Sequence, residues 1–80
     1  MLPEIVLAWV LWAGLPTINS WRPQSGHETV LDCEVERELR IADMTNAKPF
    51  GRGFVELQNG TIMQFSCFPS NLDPRRVSRQ

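Results

Sequence analysis

The chain has 80 residues, 42% hydrophobic and 21% charged, with a formal net charge of −1. That is room for one domain, and the near-neutral balance excludes the broad basic field that holds nucleic acid. With 6 Pro and 5 Gly, nothing in the composition marks a fibrous or disordered chain.

Residues 1–20, MLPEIVLAWVLWAGLPTINS, stand apart. From Ile5 to Leu15 the run carries no charge, and only Gly14 is neither strongly apolar nor Ala. As a helix it would span about 16 Å, roughly half of a ~30 Å hydrocarbon core. This suits the h-region of a signal peptide better than a spanning helix. Pro16 would end that helix, and a cut after Ser20 would start the mature chain at Trp21. Against this stand Glu4, in place of a positive n-region, and Ile18, where a small residue belongs. Two alternatives are an uncleaved short membrane anchor, with Trp9 and Trp12 near the interface, and a buried core helix or strand. No Cys lies near the cut, so a lipoprotein-type attachment has no acceptor.

Residues 21–28 read as a polar lead-in. From Leu31 to Ile41, LDCEVERELRI, the odd positions are apolar except Arg37, and the even ones are charged. Period-two alternation predicts a half-buried strand over about 29–41. A helix competes, because Leu31, Val35, Leu39 and Ala42 also fall at helical spacing. Thr45–Gly53 is a loop punctuated by Pro49, Gly51 and Gly53.

The segment FVELQNGTIMQFSC, Phe54–Cys67, predicts a hairpin with strands at 53–58 and 61–68. Asn59-Gly60 favours a two-residue type I′ turn, which would pair Glu56 with Met63 and Phe54 with Phe65. Opposed residues share a face. One face then holds Phe54, Met63, Phe65 and Cys67, with Glu56 at its margin; the other holds Val55, Leu57 and Ile62.

Cys33 and Cys67 are the only cysteines, far from any metal-ligand spacing. In an oxidising compartment they would pair. Two unpaired thiols in a cytosolic protein are the alternative. A bridge requires Cys67 to point where Cys33 points, which makes Phe54, Met63 and Phe65 the core. The expected fold is small and mainly β, a three-stranded antiparallel sheet with one disulfide, preceded by a hydrophobic amino-terminal helix. Residues 29–70 form its β domain and 71–80 a basic disordered tail. Val55, Leu57 and Ile62 are left as a candidate partner surface, unless a terminal segment covers them. Exposed sheet edges offer a second route to a partner, by strand addition.

Catalytic chemistry has little support. His27 is the only histidine, with Ser25 near it in sequence, and it reads as a solvated loop residue. Asp32, Glu34, Glu36 and Glu38 would line one strand face about 7 Å apart, a solvated ladder or a strip for a basic partner. Asn59-Gly60-Thr61 is a glycosylation acceptor that the turn already explains. Arg75-Arg76 is a dibasic processing site, an anion contact or part of the polar tail. No cofactor or metal is implied.

The sequence reading is therefore a secreted or periplasmic protein-binding module, neither an enzyme nor a nucleic-acid binder. An inhibitor, an effector and an envelope accessory protein all fit this description. The alternative is an accessory protein anchored in the membrane through residues 1–20, with its β domain outside the cytosol. A second copy of the chain is a further candidate partner.

Overall fold

A computed structural model describes residues 7–76. Its sheet has five antiparallel strands: β1 (Trp9–Leu15), β2 (Ser20–His27), β3 (Lys48–Pro49), β4 (Phe54–Glu56) and β5 (Ile62–Pro69). Their spatial order is β2-β1-β5-β4-β3, and one helix, α1 (Val30–Asp43), lies between β2 and β3 in the chain. Short 3-10 turns occupy Pro16–Ile18 and Pro74–Arg76. The three strands expected become five, and the helix is not amino-terminal.

The apolar run that reads as a signal-peptide helix contains β1, flanked by β2 and β5. Leu11, Trp12 and Ala13 are buried. A strand covered on both faces shows no alternation, so its pattern matches a buried helix or an h-region equally well. Trp, Val and Leu suit a pleated surface. At Gly14 the cross-strand neighbour Trp21 lies so close that an added Cβ would strike its ring. The polar lead-in is β2 itself, bulged at Gln24 where its pairing with β1 shifts.

The segment expected as the first strand is α1. Thr29 is its N-cap: the Thr29 Oγ1 accepts the Asp32 N–H at 3.1 Å. Asp32 in the first turn and Arg40 in the last complement the helix dipole. The alternation that suggested a strand arises from two helical rows. Cys33, Arg37 and Ile41 form one row at intervals of four; Leu31, Val35 and Leu39 form another, displaced by two residues. Two residues of helix turn through about 200°, so the rows lie on opposite sides. Together they fill every odd position.

The inner row packs on the sheet. Cys33 is fully buried and bonded to Cys67, with Cα atoms 6.1 Å apart, and Ile41 is buried in the same core. Leu11, Ala13, Val55 and Phe65 complete that core, with Trp9, Met44, Ala47, Leu57 and Met63 against it.

The hairpin exists, but its register differs from the expected one by one residue. Gln58-Asn59-Gly60 forms a three-residue loop: Gly60 N–H donates to the Leu57 carbonyl and Leu57 N–H to the Thr61 carbonyl, both at 2.9 Å. Only Gly60 takes positive φ, at 84°, so Asn-Gly here closes a turn followed by a left-handed residue rather than a type I′ turn. Val55 consequently pairs with Met63, Phe54 with Gln64 and Glu56 with Ile62. One residue of slip exchanges the faces. Val55 is wholly buried beneath α1, while Phe54 and Glu56 move to the opposite face. Gly53 admits this arrangement: its φ is +79°, and a Cβ there would collide with the Phe65 carbonyl.

The carboxyl-terminal segment packs on the Trp12 part of that opposite face. Pro74 is buried, and the Arg75 guanidinium sits 5.1 Å from the Trp12 ring centroid. The tail forms a 3-10 turn at Pro74–Arg76, and its last four residues lie outside those described. Trp21 and Phe68 meet edge to face at 5.9 Å. Each outer strand contains a proline, Pro23 in β2 and Pro49 in β3.

Closing a loop with a sequence separation of 34 restricts the unfolded chain, which the chain-entropy account values at about 4 kcal/mol. Urea unfolding of the reduced, alkylated protein should register a loss of that order. A chain beginning at Trp21 lacks β1 and should give an unfolded circular-dichroism spectrum, while Leu11→Ala in the full chain should cost about 2–5 kcal/mol. A folded truncated chain would contradict the placement of β1.

Candidate functional site

The residues singled out in the sequence scatter. Cys33 and Cys67 meet in the bridge. Val55 is interior and presents nothing to a partner. Leu57 is half-buried on the helix side of the sheet. Ile62 is half-buried and, paired with Glu56, lies on the other side. The free face expected of Val55, Leu57 and Ile62 therefore does not exist as one surface. Asn59 is exposed at the hairpin tip, its Oδ1 accepting the Thr61 N–H at 2.9 Å.

Ser25 Oγ and His27 Nε2 lie 2.7 Å apart, because alternate residues of β2 share a face. A nucleophile also needs a group that orients the imidazole, and among the described residues no hydrogen bond reaches the other ring nitrogen. The pair is a local contact at the end of an edge strand.

The acidic ladder is also rearranged. On a helix, Asp32, Glu34, Glu36 and Glu38 fan around the axis instead of lining one face. With Asp43 they give α1 five carboxylates against two arginines. Both arginines turn inward. Arg37, with a side chain only 19% exposed, reaches Glu38 at 3.0 Å; Arg40 reaches Glu36 at 2.9 Å and the Gln24 Oε1 at 3.2 Å. Such surface pairs are worth only tenths of a kcal/mol. Their effect is on charge placement, since the outer half of the helix is left acidic.

Between those acidic borders runs the feature that residue-by-residue reading did not single out. Leu31, Val35 and Leu39 are 66%, 51% and 57% exposed, one row along the side of α1 turned away from the sheet. Ala42 extends the row and is exposed too. Single exposed aliphatic residues are ordinary, but an aligned row along a helix marks a contact surface.

A cleft of about 770 Å³ opens on the helix side of the sheet, past the carboxyl end of α1. Ala13, Leu57, Met63 and Phe65 line its floor, and Arg22, Gln24 and Arg40 stand on its rim.

No family model, curated protein or solved structure matches the chain.

At the other end, Asp73 is held down to about 2, chiefly by the Arg75 side chain donating to it, while partial desolvation opposes the shift. The Arg75 backbone N–H and the charges of Arg75 and Arg76 add to the lowering. Arg75 reaches Asp73 through Nε at 2.9 Å and Nη2 at 2.8 Å, so the carboxylate holds the guanidinium that lies over Trp12. A folded pKa below the unfolded value of about 3.9 stabilises at higher pH and is lost as pH falls through the folded value. The Trp12 indole N–H resonance should therefore hold its position at pH 3.5 and move with a midpoint near 2. A midpoint near 4 would show that the clamp is not formed.

Proposed function

We propose that this chain is a small exported module that acts by binding another protein, with the outer face of α1 as the contact. The observation that carries the reading is the exposed row Leu31, Val35 and Leu39, set opposite the row that holds the helix to the sheet. Burying three such side chains would contribute on the order of 1 kcal/mol or more each. Acidic borders on both sides suit a partner that presents basic residues around an apolar centre, with charge speeding the encounter and the apolar row holding the complex. A second copy would oppose carboxylate to carboxylate across the same face, so the partner is a different chain.

Export rests on the bridge. A disulfide between Cys33 and Cys67 fits an oxidising, extracytoplasmic compartment, and among the described residues no helix is long and apolar enough to cross a membrane. In the fold described, Trp9–Leu15 pairs with β2 and β5 as a strand of the sheet. Binding rather than catalysis is likewise part of the proposal.

The test is a triple variant, Leu31→Ser, Val35→Ser and Leu39→Ser. Because these side chains face solvent, its unfolding free energy should stay within about 1.5 kcal/mol of the parent, with the bridge intact. Proteins from the native host that crosslink to the parent should be lost with the variant and regained when only Leu39→Met is made. Retention of the same crosslinks by a folded triple variant would sink the reading.

A further inference from the structure

The cleft beyond α1 is left by a mismatch of dimensions. A helix of 14 residues is about 21 Å long and 10 Å wide, whereas five strands about 4.8 Å apart, two of them eight residues long, make a broader surface. The bridge ties the first turn of α1 to β5 at Cys67, and the helix ends at Asp43, where Met44 N–H closes on the Ile41 carbonyl at 3.1 Å. The start of β5, the end of β1 and the hairpin shoulder stay uncovered on that side. The cleft of about 770 Å³ lies there, within the range of small-molecule sites.

Its chemistry is divided. Met44, Leu57, Met63 and Phe65 offer an apolar floor, with the two methionines able to adapt to an irregular occupant. Arg22 and Arg40 are both among the residues that line the cleft. Arg40 is held through Nε by Glu36 and through Nη1 by Gln24, which orients its guanidinium. Arg22, on the neighbouring strand, forms no ion pair among the described residues. Asp43, one helical turn past Arg40, places a carboxylate on the same rim and disfavours a polyanion.

We infer that the cleft binds a small free amphiphile with an apolar body and a single anionic head such as a carboxylate. The body lies on the Met63–Phe65 floor and the head meets Arg22, with Arg40 beside it. This site is on the sheet side of α1, distinct from the outer row assigned to a protein partner. A planar guanidinium grips a carboxylate through paired N–H donors, so Arg22 supplies the selectivity and the floor supplies the area.

The experiment uses the full oxidised chain with methyl-labelled methionine, because Met44 and Met63 both line the cleft. Octanoate, kept below its micelle concentration, should move both methyl resonances saturably. Octan-1-ol, with the same body and no charge, should bind about tenfold more weakly, the loss expected for a missing charge-assisted contact. Arg22→Ala should weaken octanoate about tenfold and leave octanol unchanged; Arg22 is exposed, so this variant should fold. Leu57→Trp, which fills the floor, should weaken both ligands, and a second filling variant, Thr61→Trp, replaces it should that chain fail to fold. Methyl resonances that do not respond to octanoate overturn the proposal, as does equal loss of octanoate and octanol in Arg22→Ala. Sedimentation with anionic vesicles without any octanoate response would assign the basic rim to a membrane surface and overturn it equally.

Discussion

The bond between Cys33 and Cys67 sets the rotation of α1 about its own axis. Once the first turn is tied to β5 beside Leu11, the residues four and eight positions on, Arg37 and Ile41, must follow on the sheet side. The row through Leu31 is then held about half a turn away, in solvent. Turning the helix by one residue's angle would bring an acidic side chain toward Val55 and carry Ile41 out of the core. The exposed row is therefore imposed by the same linkage that builds the interior.

That linkage covers only part of the fold. The covalent loop encloses most of α1, β3, β4 and most of β5, whereas β1 and β2 precede it and are held by backbone pairing and burial. Leu11 and Ala13 connect the two parts, since both lie in the core with Cys33 and Phe65. The opposite side of the sheet relies on different forces: an edge-to-face aromatic pair and a cation held over Trp12 by Asp73. One side is cross-linked, while the other contains a charge-dependent clasp.

Legibility in the sequence varied with the physics of each segment. The bridge and the hairpin could be read directly, because an even cysteine count and Asn59-Gly60 each have few structural solutions. Hairpin register could not, since Asn-Gly serves both the two-residue turn and the three-residue turn that ends on a left-handed glycine. Thr29 with Asp32 three residues later is a helix-start signature, and it outweighed the alternation that followed. That alternation was real but ambiguous, because two opposed helical rows occupy the same odd positions as one strand face. For Trp9–Leu15, burial on both sides erased the periodicity that separates strand from helix. The outer row on α1 was visible as helical spacing, but its exposure followed only from knowing which row the bridge turns inward.

The prolines at the two rims of the sheet have a consequence for how the molecule behaves in quantity. Pro23 in β2 and Pro49 in β3 cannot donate to an incoming strand, and the bulge at Gln24 further breaks the free row along β2. Neighbouring molecules thus find no continuous ribbon to extend. Fibrous stacking through the sheet margins is discouraged at both ends, and recognition is steered away from main-chain zippering toward side chains on the broad faces.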